Sequence, residues 1–257
     1  MGILEGKNIL VTGLTMNTSI AYAVADIAQR EGANVVVSSA GRAVSLARRV
    51  AARLDPAPPL IELDVTDPAH LEALPGVLEE YFTGGVDGVV HSIAYANPET
   101  ALGGKFLTTP WEDVAQALHV SAFSLKALTM AVHPLLNRGA GIVGLTFDAS
   151  VAWPTYDWMG VSKSALESTS RYLARYLGPQ GIRSNIVAAG PIDSVAKKAI
   201  PGANTFNDIW GVRAPLGWDS SDATATAKAV VALMSDWFPA TTGEIIHVDG
   251  GLHATGA

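Results

Sequence analysis

The sequence predicts an α/β protein built on a single-domain, Rossmann-type doubly wound parallel sheet of about seven strands with helices on both faces. Three observations predict it. Short β-branched runs alternate with amphipathic stretches along the chain, at 8–12, 34–38, 60–64, 88–91, 141–147, 183–187 and 244–248. Those runs are apolar throughout, with no in-out alternation, as strands covered on both faces are. The chain has 257 residues, 49% of them apolar, and no linker, repeat or low-complexity segment divides it, so one domain over 1–257 holds a large core. Between the first two runs Ile20, Val24, Ile27 and Ala28 recur at helical spacing, Ser19 is placed to cap the helix, and Gly32 stops it. That segment is a βαβ unit.

Composition narrows the function. A net charge of -7 repels polyanions and supplies no basic footprint, so no nucleic-acid partner is expected. With no cysteine there are no disulfides or thiolate metal sites. No run reaches the roughly 18 apolar residues of a membrane span. The N-terminus, Met1-Gly2-Ile3-Leu4-Glu5-Gly6-Lys7, has no apolar signal core. The chain reads as complete and cytoplasmic. His91, His119, His133, His247 and His253 are scattered over different elements, none at a metal spacing with a second ligand, and no metal is expected.

Three strand ends look prepared for a dinucleotide. Where the first strand turns into the first helix, Gly13 permits a tight turn, the free amides and the positive dipole end of the helix opening at Ser19 and Ile20 attract pyrophosphate, and the Ser19 hydroxyl is placed to add a hydrogen bond to it. The second and third glycines of G-x-G-x-x-G are absent there. Leu63-Asp64-Val65 ends the third strand with a carboxylate able to hold an adenine amino group. Ser92-Ile93-Ala94 follows the fourth strand, where a doubly wound sheet changes direction and a cofactor lies across it.

The second feature is Tyr156-Asp157-Trp158-Met159-Gly160-Val161-Ser162-Lys163, read as opening a helix. Seven residues make about 700° of turn and roughly 10 Å of rise, so Tyr156 and Lys163 share a face and can serve one cavity. A phenol can donate to an oxygen that becomes negative, and a nearby cation favours that charge.

Thr12-Gly13 with Ser19-Ile20-Ala21, Leu63-Asp64-Val65, His91-Ser92-Ile93-Ala94, Tyr156 with Lys163, and Ala188-Ala189-Gly190-Pro191-Ile192 together resemble the enoyl-acyl-carrier-protein reductases, the divergent branch of the short-chain dehydrogenase/reductase superfamily. The resemblance covers nearly the whole chain. No tyrosine has a lysine four residues on, so the Tyr-x-x-x-Lys of the carbonyl-reducing members is missing and only Tyr-x6-Lys is present. Gly144-Leu145-Thr146-Phe147-Asp148 is similar to the actinobacterial form, with phenylalanine where many bacterial enzymes have a second tyrosine.

The resemblance implies hydride transfer from NADH to the β-carbon of a trans-2-enoyl thioester carried on acyl carrier protein or coenzyme A, in fatty-acid biosynthesis, by a homotetramer. It implies that Tyr156 donates to the thioester oxygen, that Lys163 binds the nicotinamide ribose, and that Phe147 sits beside the nicotinamide, with Tyr156, Phe147 and Met159 on the substrate side. On the cofactor side it implies Gly13, Ser19, Ile20, Asp64, Val65, Ser92, Ile93, Ala94 and Lys163, with Ile192 against the carboxamide and Ser194 on the pyrophosphate. The stretch at about 191–218, broken by Pro201, Gly202, Asn204, Pro215 and Gly217, is the substrate-covering segment of that family, with Val195, Ala199, Ile200, Phe206, Ile209 and Trp210 as its apolar surface. It looks shorter than in relatives that handle very long chains, which implies medium-chain substrates. Lys197 and Lys198 are placed to meet an acidic carrier. No carboxylate ends the second strand, and Arg42 follows it, which leaves NADPH as the alternative to NADH. Two rival functions share these residues: another NAD(P)H-dependent carbonyl or imine reductase of a specialised pathway, and a non-catalytic dinucleotide sensor.

Overall fold

The computed structural model describes residues 1–256, Ala196 by its backbone alone. The elements follow in the order β1 (Asn8–Val11), α1 (Ile20–Arg30), β2 (Asn34–Ser39), α2 (Val44–Ala51), β3 (Leu60–Glu62), α3 (Pro68–Glu79), β4 (Val86–His91), α4 (Trp111–Leu118), α5 (Ser124–Val132), β5 (Leu136–Thr146), α6 (Asp157–Leu177), β6 (Arg183–Ala189), α7 (Val195–Lys198), α8 (Asn204–Arg213), α9 (Thr224–Met234) and β7 (Ile245–Val248). The strands form one sheet in the order β3-β2-β1-β4-β5-β6-β7, every neighbouring pair parallel.

Successive side chains of these strands point to opposite faces, and both faces are covered, which is why the runs read as continuously apolar. Ile9, Val11, Val35, Val37 and Val143 pack on one side with Val24 and Ala28 of α1 and Val230 and Met234 of α9. Leu10, Val36, Val89, Ile142 and Ile186 pack on the other with Leu125 and Leu128 of α5 and Leu166 and Leu173 of α6. Each such leucine or isoleucine contributes about 2 kcal/mol by leaving water. The expected cap of α1 is present, the Ser19 hydroxyl accepting from the Tyr22 amide at 3.2 Å. Asp67 caps α3 in the same way, with Pro68 in the first turn where its missing N–H costs nothing.

Strand limits differ from the apolar runs. β3 stops at Glu62, because Asp64 turns back to bond Thr66. β5 starts at Leu136, earlier than expected, pairing through a register shift between Val86 and Gly88, and it ends at Thr146, so Phe147 lies outside the sheet. The chain between β4 and β5 carries a π-helical turn at His119–Phe123 joining α4 to α5, which the sequence reading did not anticipate. The 191–218 stretch holds the short α7 and the longer α8, separated at Pro201-Gly202. Among the described residues no helix is long and apolar enough to cross a membrane.

Candidate active site

β1 and β4 are adjacent, and their chain connections leave in opposite directions, which opens a crevice at the carboxyl edge of the sheet. A cleft of about 1360 Å³ occupies that place. It runs from Gly13, Ser19, Ile20, Asp64 and Val65 past Ser92, Ile93 and Ala94 to Phe147, Tyr156, Met159, Lys163, Ile192 and Ser194, so every candidate residue lines one continuous space. Arg42 is exposed and is not among the lining residues.

The first half is held by short-range bonds. Gly13 has φ of 81°, and a Cβ there would stand 2.0 Å from the Ser92 carbonyl oxygen, so only glycine lets the β1–α1 turn lie against the end of β4. The Ser19 hydroxyl, expected to donate to pyrophosphate, instead caps α1 and donates to the Met16 carbonyl at 2.6 Å, so its proton is already committed and the amides opening α1 are left as the anion donors. Asp64 accepts from the Thr66 amide and hydroxyl at 2.8 and 2.7 Å, and these bonds hold its carboxyl below the usual carboxylate range. The bonds also fix the carboxyl at the edge of the cleft.

The second half is built from distant pieces. Tyr156 stands at the opening of α6, as expected, immediately ahead of its first residue and between Thr155 and Asp157 with φ of 62° and 42°. Such angles are uncommon for residues with a side chain, most of all for a β-branched one. The loop at 103–105 imposes them. The Asp157 carboxylate accepts from the Gly104 and Lys105 amides at 2.6 and 2.9 Å, and the Thr155 carbonyl accepts from the Gly103 amide at 2.9 Å. Tyr156 is 7% exposed, and burial pushes its phenol above the ordinary value, so it keeps its proton. Its ring lies 5.3 Å from that of Phe147, which in turn meets Trp153, Phe206 and Trp210 at 5.1 to 5.3 Å. Lys163, also 7% exposed, donates from Nζ to the Leu145 carbonyl at 2.8 Å. Burial brings its ammonium down to about 8, with Glu167 acting in the other direction.

The family description enoyl-(acyl carrier protein) reductase matches residues 13–253. The chain is 46% identical to the enoyl-(acyl-carrier-protein) reductase (NADH) of Mycolicibacterium smegmatis over 97% of each chain, and 46% identical to that of Mycobacterium avium over the same share. It is 38% identical to the Aquifex aeolicus protein of that name, over all of this chain and 94% of the relative. The chain belongs to this family.

Within that family frame, two further expectations change. Lys197 is not a solvated lysine awaiting a carrier: it is 8% exposed and bonds Asp193 and Asn207, tying the start of α7 to α8, while Ser220 bonds the same Asp193. Asp193 and Lys197 stand four residues apart, a spacing that could have marked their pair, whereas the bond to Asn207 needs the irregular stretch to fold back on itself. Lys198 remains exposed. Ser194 caps α7, accepting from the Lys197 amide at 3.2 Å. His247 and His253 are not scattered but stacked, ring centroids 3.8 Å apart, because β7 and the turn after it bring them together. Among the described residues no group of three or more potential ligands could hold a metal.

The cleft also contains residues not anticipated. His119, Val120 and Gln116 reach it from α4 and the π-helical turn, and Ala96 and Leu102 from the loop after β4. No sequence signal marked them. Glu167 was not singled out either, although it stands four residues after Lys163, one helical turn along the same face, a spacing that could have found it.

Proposed function

We propose that this protein is an NADH-dependent enoyl thioester reductase of fatty-acid biosynthesis, acting on acyl chains held by acyl carrier protein, as the names of its relatives state for them. What supports the reading most is the buried phenol of Tyr156, which keeps its proton beside Lys163 in the cleft that begins at Gly13.

The residues present fit a dinucleotide. The turn at Gly13, whose Cβ position is closed by the Ser92 carbonyl, brings bare backbone to the cleft, and the amides that open α1 stand beside it. Gly13, Ser19 and Ile20 would face the pyrophosphate, with Ser194 opposite; Asp64 and Val65 the adenine; Ser92, Ile93, Ala94, Ile192 and Lys163 the nicotinamide riboside. Reduced nicotinamide supplies the hydride when bound. Tyr156 donates a hydrogen bond to the thioester oxygen as negative charge builds on it, and needs no proton loss to do so. Lys163 has one of its three N–H groups on Leu145, leaving two for ribose hydroxyls. Phe147 and Met159 exclude water from the reacting carbon, and the segment at 191–218 covers the acyl chain. Phe147 and Phe206 line the cleft, and a preference for medium chains belongs to the same reading. A homotetramer in the cytoplasm belongs to the same reading by kinship.

Absorbance loss of NADH, with NADPH in parallel, tests it, on adding a trans-2-dodecenoyl thioester or the matching 3-ketoacyl thioester. Oxidation with the enoyl substrate and NADH is expected. Oxidation only with the ketoacyl substrate, or none with either despite NADH binding, would overturn the reading in favour of a carbonyl reductase or a sensor.

A further inference from the structure

Lys163 and Glu167 are both buried, at 7% and 8% exposure, on one face of α6. Consecutive residues at the end of β5 hold them: the Leu145 carbonyl accepts from Lys163, and the Thr146 hydroxyl donates to Glu167 Oε1 at 2.9 Å. The Ala149 amide also donates to the Glu167 carboxylate. Glu167 does not line the cleft, so it meets neither cofactor nor substrate. Both of its bonds come from donors, as a carboxylate requires.

The surroundings of Lys163 give that carboxylate a role. His91, from β4, is fully buried and kept neutral by burial and by the charge of Lys163, so it places no second positive charge beside that lysine. Tyr156 is buried and keeps its proton, so it brings no negative charge. Glu167 is the carboxylate that acts on Lys163; burial pushes its own carboxyl above the usual carboxylate range, the bonds from Thr146 and Ala149 work against that, and Asp148 and Arg171 act on it in opposite directions. A lysine losing its proton near neutrality would lose both its positive potential and its strength as a ribose donor.

We propose that Glu167, oriented by Thr146, is a positioning residue that keeps Lys163 charged at the pH of cofactor binding and turnover. The inference rests on reading Lys163 as an anchor for NADH, and its consequence is a pH dependence that extends further to the alkaline side than burial alone allows. Burial sets the ammonium at about 8 with Glu167 already helping, so without that carboxylate the proton leaves at lower pH.

NADH affinity of the whole chain, measured by nicotinamide fluorescence without thioester from pH 6.5 to 9.5, tests this. In the native protein affinity falls as pH rises through about 8, the value to which Lys163 is held. In Glu167→Gln that fall moves to lower pH by about one unit, with affinity at pH 6.5 near native. Glu167→Asp, which keeps the charge, holds the midpoint close to the native one. A Gln variant weakened equally at every pH, or unchanged at every pH, overturns the proposal, since a structural role predicts the former and no role the latter. Should glutamine prevent folding, Glu167→Met, apolar and of similar length, is read against the same midpoint. Because substrate is absent, a protein that shows this shift yet reduces no enoyl thioester would sink the proposed reaction and leave the role of Glu167 standing.

Discussion

The two halves of the cleft are made differently. At the nucleotide end, Gly13, Asp64 and Ser92 stand within a few residues of the ends of β1, β3 and β4, so the sheet itself places them. At the acyl end, Tyr156 depends on bonds to a loop some fifty residues earlier, and Phe147 packs on Phe206 and Trp210 from α8. The first half is therefore rigid wherever the sheet is folded, whereas the second is assembled by contacts that each need another segment in place. Damage to the first should remove fold and cofactor binding together; damage to the second should remove chemistry and leave both.

Gly13→Ala carries the largest expected effect. An alanine at φ of 81° with its Cβ 2.0 Å from the Ser92 carbonyl must push the turn off β4. The left-handed backbone and the overlap together cost about 3 kcal/mol or more. Thermal unfolding and NADH titration should show lower stability and lost affinity in the same variant. Full NADH affinity in a stable Gly13→Ala protein would mean that the turn is not the rigid cradle described above.

Tyr156→Phe is the counterpart in the other half. Removing a single donor to a developing oxyanion costs on the order of 10²-fold in kcat. The ring still fills the space beside Phe147, so melting temperature and NADH affinity should stay native. A variant that retains normal enoyl turnover would take the donor role from Tyr156, and one that loses NADH affinity would blur the division between the halves.

That division also explains what could be read from the chain. The seven apolar runs, the Ser19 cap and the strand ends at Gly13, Asp64 and Ser92 were legible because each depends on a few neighbouring residues. The left-handed backbone around Tyr156 was not, since the bonds that impose it come from the loop at 103–105. Nor was the bond of Lys197 to Asn207, which exists only once the 191–218 stretch has folded on itself. The π-helical turn at His119–Phe123 left no mark in the apolar spacing.

His91 tests the border between the halves, with the smallest effect. It ends β4 at the switch point and feels the charge of Lys163 from α6. Ser124 donates its hydroxyl to the Val120 carbonyl at 2.6 Å, so His91 Nε2, 2.7 Å from that hydroxyl oxygen, must carry the ring proton. Nδ1 is then a buried lone pair with no partner among the described residues. Burial first, and Lys163 second, bring the imidazole down to about 3 from 6.5. As pH falls below 6.5 the unfolded chain takes up this proton and the folded one does not. Stability is therefore complete above about 6.5 and declines toward 3, by up to about 1.4 kcal/mol per pH unit. His91→Asn has no such proton to gain, so its melting temperature should fall less between pH 6.5 and 5.5, above the range where carboxylates titrate. Parallel melting curves for the two proteins across that interval would show that His91 takes its proton in the folded state, against the neutral buried imidazole described above.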